Sequence, residues 1–386
     1  MQPEIEPSLG PKNRQRPART LLWYLLSIAV VYIVLFETVG MKTALQFLGS
    51  GKAYNEVLVS LLELHEEKPD QQKRIFFFGD STVAILDNDV APPALLQREL
   101  ERERGPNRVQ VIDWAFAQAS MFHYYCLASK AHEYSPSLII FNINYRTYGR
   151  HWQEYVRDAD GAILHKELVV WAPWRENFSE GVTSPLKLQE ISTSNRIKLG
   201  LDFWEVYYIR GIKLWLKDSV GRMLPDSMSL EDEWQYANAE WRTRSHQVVR
   251  ILSELELSAE TIRSFYTMNV PRNDPEILAL QALTDALKRR GIPFVAYLTP
   301  LNIQQFKDYG VYDEEAFRGT VGYIEQIITS EGGFFVDMSN MLESNEFQDR
   351  LEHYKPEAAR KIVQRLVPIV RETLQRNRRV GGQKVY

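Results

Sequence analysis

Cysteine is nearly absent from this chain: Cys126 is the only one in 386 residues, so no intrachain disulfide can form. That excludes a small, disulfide-stapled secreted module. Cys126 stands in the apolar run Phe122-His123-Tyr124-Tyr125-Cys126-Leu127-Ala128 and is expected to be a buried structural thiol. An excess of one charge is lacking too. Lys and Arg number 46 against 50 Asp and Glu, a net of −4, which leaves no basic footprint for nucleic acid. The seven histidines show no His-x-x-x-His pair, so no zinc site is expected. There is no Gly-x-Gly-x-x-Gly, no phosphate-binding loop and no internal repeat, and no cofactor is expected.

Long uncharged runs are missing with one exception. Thr20 to Phe36 carries no charge, and the apolar character continues past Glu37 to Met41. Residues 20–41 therefore predict a single transmembrane helix, which needs about 20 residues. Trp23 and Tyr24 suit the near interface. Residues 1–19 hold Lys12, Arg14, Arg16 and Arg19 among prolines, which predicts a cytoplasmic tail. A cleaved signal peptide is the competing reading, but no convincing Ala-x-Ala site follows the run. The expected location is the inner (cytoplasmic) membrane, single-pass, with everything after Lys42 on the periplasmic side.

What remains reads as an α/β protein. Residues 42–72 predict a helical stalk, closed by Glu66-Glu67-Lys68-Pro69-Asp70. Strands are expected at Arg74–Phe78, Val109–Asp113, Pro136–Asn144, Ile292–Leu298 and Phe334–Asp337, alternating with helices at 94–103, 121–132, 274–290, 314–330 and 356–375. This alternation predicts a mostly parallel sheet covered on both faces, a three-layer sandwich. Residues 151–270 break the rhythm and hold seven of the nine tryptophans, including Trp152 and Trp171. They predict a largely helical insertion between two halves of one domain, 73–150 and 271–378. Residues 379–386 predict a disordered tail.

The first strand stops at Gly79-Asp80-Ser81 and hands over to a helix. Ligands bind at the C-terminal edge of such sheets, so Ser81 is a candidate nucleophile. Taken alone, the tripeptide also suits a turn whose Asp or Ser caps a helix. Two further residues favour the nucleophile. His353 lies on a loop just before the helix that opens at Pro356, and Asp349 lies within one turn of it. Acyl transfer through serine needs a base to take the hydroxyl proton and a carboxylate to orient that base. Glu352 and Asp337 are alternative acids.

These residues resemble the SGNH (GDSL-type) hydrolase superfamily. An apolar strand ending in Gly-Asp-Ser matches Phe76 to Ser81, and a late acid–His loop matches Asp349 and His353. The family separates acid and His by two residues. Here three intervene, and Arg350 holds the family position. The resemblance implies an oxyanion hole from the Ser81 N–H, from Gln118 in the glycine-free stretch 113–120, and from Asn144 or Arg146 after the third strand. One N-terminal span, a split domain and Leu298-Thr299-Pro300-Leu301-Asn302 are similar to the DltD-like branch of membrane-anchored envelope proteins. That branch implies acyl transfer from a donor to a cell-envelope polysaccharide or polymer, beside a membrane-bound O-acyltransferase as partner. An esterase or deacetylase of the same fold is the alternative, and a non-catalytic envelope assembly protein is another.

Overall fold

The computed structural model describes residues 72–86, 89–104, 108–155, 165–171 and 258–381, together with a few helical positions before residue 65. Its centre is a five-stranded sheet of β1 (Lys73–Gly79), β2 (Val109–Ala115), β3 (Leu138–Ile143), β4 (Phe294–Leu298) and β5 (Phe334–Asp337). Every pairing is parallel, and the spatial order is β2-β1-β3-β4-β5. All five expected strands form. The chain winds outward from β1 to β2, then crosses back to β3 on the other side. That reversal opens a crevice at the C-terminal ends of β1 and β3.

The helices are α1 (Ser81–Ala84), α2 (Pro92–Arg104), α3 (Met121–Ala131), α4 (Arg150–Tyr155), α5 (Ala259–Phe265), α6 (Pro275–Arg289), α7 (Ile303–Asp308), α8 (Glu314–Ser330) and α9 (Pro356–Gly381). Successive strand residues face opposite sides, so an unbroken apolar run supplies two cores. Phe76, Phe78, Trp114 and Phe141 meet residues of α3, α6 and α8 on one face. Ile75, Phe77, Ile140 and Tyr297 meet residues of α2 and α9 on the other. Phe76, Phe77 and Phe78 are all fully buried, each contributing roughly 1.5–3 kcal/mol. β1 is thus held from both sides.

Helix starts follow the sequence chemistry. Asp274 caps α6 ahead of Pro275, and Asp313 caps α8 through the Ala316 N–H. α9 runs past its expected end near Gln375 to Gly381. Arg is a good helix former, and Arg376 pairs with Glu372 and stacks 4.9 Å over the Phe334 ring.

Three expectations fall largely on residues outside those described. Of 20–41, only Trp23, Tyr24 and Ser27 are described, and all three are helical. Among the described residues no helix is long and apolar enough to cross a membrane. Within 42–72, Val57, Leu61 and Leu64 are helical and buried in the first core, and Trp114 Nε1 donates to Ser60 Oγ at 3.0 Å. That part of the expected stalk packs onto the domain. The insertion's residues 172–257 are outside as well, and the described parts of 151–270 contain helix and turn but no strand.

Candidate active site

The end of β1 lies tight against its neighbours because residue 79 is glycine. A Cβ there would lie 2.8 Å from the Cβ atoms of Ala115 and Val83. Phe116 N–H donates to Gly79 O at 3.0 Å, which draws the loop after β2 alongside the turn. Asp80 follows as the N-cap of α1, and its buried carboxylate gathers four hydrogen bonds. Oδ1 accepts from Thr82 N (3.0 Å), Thr82 Oγ1 (2.6 Å) and Asn142 Nδ2 (2.7 Å), while Oδ2 accepts from Asn144 Nδ2 (2.6 Å). Asn142 Oδ1 in turn accepts from the Tyr124 hydroxyl. The ends of β1 and β3 are thereby locked together, and Ser81 emerges, partly exposed, at the crevice between them. Asp80 does the capping that the tripeptide also suggested, which leaves the serine hydroxyl for another partner.

That partner is His353. Its Nε2 lies 3.1 Å from Ser81 Oγ, and its Nδ1 lies 2.5 Å from Asp349 Oδ2. The carboxylate accepts from Nδ1–H, so Nε2 is the acceptor facing the serine proton. The extra residue between acid and His is absorbed by a curl of the chain. Asp349 Oδ1 accepts from the N–H groups of Leu351 (3.0 Å), Glu352 (2.8 Å) and His353 (2.9 Å), wrapping the backbone around one oxygen. The loop is closed by the Phe347–Tyr354 bridge and by Gln348 N–H to His353 O at 2.6 Å. The turn after β4 pins it: Asn302 Nδ2 donates to Arg350 O (3.0 Å), and Asn302 N–H donates to Leu351 O (2.8 Å). Arg350, between the acid and the histidine, is exposed.

Burial alone would push the Asp349 carboxyl up, but His353 and the N–H groups of Glu352 and Leu351 outweigh it and hold it at about 2. Burial alone would push His353 down, but the Asp349 carboxylate prevails and raises it above the ordinary histidine value. A base tied to a buried carboxylate in this way is equipped to take a proton and to carry the resulting charge.

The candidate oxyanion donors divide. Gln118 adopts a left-handed conformation, φ 66°, which glycine adopts most readily. The glycine-free stretch thus makes a glycine-like turn. Among the described residues, neither the Gln118 N–H nor the Ser81 N–H meets an acceptor. Asn144 is directed elsewhere, its amide nitrogen on Asp80 and its oxygen accepting from the Arg146 N–H at 3.0 Å. Arg146 is engaged as well. Its Nη1 forms an ion pair with Glu352 Oε1 at 2.9 Å, and its guanidinium stacks 4.4 Å from the Trp152 ring centre. The alternative acids are not on the imidazole: Glu352 faces Arg146, and Asp337 is exposed at the end of β5 with Oδ1 accepting from Ser339 N–H.

Sequence reasoning missed the Asp80 hub beyond its cap, and missed Asn142, Thr82 and Tyr266. Cys126 is fully buried, and burial raises its thiol well above the usual range, as an inert structural cysteine requires. His123 is buried and accepts the Ser120 N–H at 3.0 Å. Among the described residues no group of three or more His, Cys, Asp or Glu side chains is arranged to hold a metal ion. Comparison of the chain with models of known protein families and with curated proteins found no match. What the site can do therefore follows from its geometry.

Proposed function

We propose that the protein is a serine acyltransferase of SGNH type that works through an acyl-Ser81 intermediate. The observation that carries this reading is the unbroken contact from Ser81 Oγ to His353 Nε2 and from Nδ1 to Asp349, at the crevice where the strand order reverses. His353 takes the Ser81 proton as Oγ attacks an acyl carbonyl. The tetrahedral oxyanion rests on the N–H groups of Ser81 and Gln118. A donor of this kind contributes about 3–4 kcal/mol to the transition state. His353 returns its proton to the leaving oxygen, and the acyl group stays on Ser81 as an ester. An acceptor hydroxyl then gives its proton to His353, attacks the ester, and releases Ser81.

The acceptor we assign is a hydroxyl of a cell-envelope polysaccharide or polymer, on the periplasmic side of the inner membrane. Its support is the apolar run 20–41, free of charge from Thr20 to Phe36, behind four basic residues. The resemblance of the split domain to the DltD-like branch also supports it and brings a membrane-bound O-acyltransferase as the partner that delivers the acyl group. Fluorophosphonate labelling of the full chain tests the chemistry. Wild type labels, and Ser81→Ala and His353→Ala do not. A folded wild type that fails to label overturns the proposal. Acyl label on a glycan acceptor identifies the transferase, and release of free acid identifies an esterase instead.

A further inference from the structure

One buried charge pair beside the triad takes no part in the steps above. Glu352 adjoins His353 and is fully buried. Its Oε2 accepts from the Tyr266 hydroxyl at 2.8 Å, and its Oε1 faces Arg146 Nη1 at 2.9 Å. Arg146 comes from the 3-10 turn Tyr145–Tyr148 after β3, and Tyr266 closes α5. Two separate stretches of chain thus converge on one carboxylate, next in sequence to the base. A buried ion pair is a poor stabiliser, since apolar residues of similar volume often serve as well or better. Its position is what distinguishes it.

We propose that Arg146 and Glu352 are positioning residues for His353: the pair ties the 349–353 loop, and with it the imidazole, to the end of β3. The inference rests on the reading of His353 as the general base. Two carboxylates of its own loop, Asp349 and Glu352, favour the imidazolium. Arg146, from the β3 side, opposes it, and Ser81, from α1, is neutral. Tyr266 donates to Glu352 and so keeps that group an acceptor, the form a guanidinium requires of its partner.

The two charges make separable predictions. Glu352→Gln removes a negative charge and lowers the pH midpoint of His353. Arg146→Met removes a positive charge and raises it. A pair that merely packs behaves differently: either variant loosens the Asp349–His353 contact, and both midpoints fall toward the ordinary histidine value. Arg146→Lys keeps the charge without the planar fork and the stacking on Trp152. Its midpoint stays at the wild-type value while labelling at plateau pH slows about tenfold, as expected for a displaced base.

The experiment is an NMR titration of His353 in full-length, histidine-labelled protein, run beside the pH dependence of fluorophosphonate labelling. Opposite shifts in the two charge-removing variants are the expected result. Shifts of one sign, or none, overturn the proposal. Removing one partner strands a buried charge, so if those variants fail to fold, Arg146→Lys decides. A lowered midpoint, or an unchanged labelling rate, then overturns the proposal. The titration reads His353 whether or not Ser81 reacts. Opposite shifts in a protein that never labels would therefore sink the acyl-enzyme and leave the role of the pair standing.

Discussion

Replacing Asp349 by Asn tests the site at its narrowest point. Oδ1 of Asp349 holds three backbone N–H groups and Oδ2 holds His353 Nδ1. An asparagine keeps its carbonyl oxygen on the three N–H groups and turns an NH2 toward Nδ1. Nδ1 then becomes an acceptor, the imidazole proton moves to Nε2, and Nε2 can no longer take the proton of Ser81. Loss of the correct tautomer at a Ser-His-Asp site costs about 10,000-fold in rate, on the order of 5 kcal/mol of transition-state stabilisation. Stability changes far less. The Asp349 carboxyl sits at about 2 in the folded protein against an ordinary 3.8, with burial opposing the shift and His353 and the N–H donors driving it. A carboxyl lowered on folding adds stability above its unfolded value and loses it as pH falls through the folded one; here that amounts to about 2 kcal/mol. Asp349→Asn should therefore stay folded at neutral pH, about 2 kcal/mol less stable by urea titration, with its loop still curled round the amide oxygen. Its second-order rate of fluorophosphonate labelling should fall by about four orders of magnitude. A folded Asp349→Asn that labels within tenfold of wild type would refute the assignment of the acid and of the tautomer together.

The parts of this molecule that were legible in the sequence share one property: their signal is local. Ile75-Phe76-Phe77-Phe78 reads as a strand buried on both faces because both alternations are apolar, and the two cores divide those residues accordingly. Asp274-Pro275 announces a helix because the acid caps and the proline suits the first turn. Gly79-Asp80-Ser81 and His353 before Pro356 fix where the serine hydroxyl and the imidazole enter the crevice. Long-range partners left no such mark. Asp80 looks like a cap, yet its grip on Asn142 and Asn144 exists only because β1 and β3 pair in register, Phe78 opposite Phe141. Arg146 looks like a free donor because nothing nearby in sequence reveals that Glu352 will face it. Gln118 hides a glycine's conformation behind a side chain. α9 outlasts the local helical pattern, and the stacking of Arg376 on Phe334 beyond that pattern is a tertiary contact.

Three further perturbations probe the frame and the base. Asp80→Ala removes the acceptor for Thr82, Asn142 and Asn144 in a buried setting; at about 1–3 kcal/mol per stranded group, urea titration should show a loss on the order of 4 kcal/mol. Gly79→Ala forces a methyl to within 2.8 Å of Ala115 and Val83. Overpacking of this kind costs about 1–3 kcal/mol, and the displaced Ser81 turn should slow labelling by about 100-fold. The last concerns pH. Only neutral His353 accepts the Ser81 proton, and burial, which lowers its pKa, is outweighed by the Asp349 carboxylate, which raises it. Labelling of wild type should therefore rise with pH through a midpoint above the ordinary 6.5 of histidine. Stability runs the other way. A histidine raised on folding contributes fully below its unfolded value, and that contribution disappears as pH climbs through the folded one. Across the interval in which labelling rises, wild type should lose stability relative to His353→Gln, which has no proton to release there. A labelling midpoint below 6.5, or a stability difference that is flat across it, would mean that Asp349 does not hold the imidazole as these distances require.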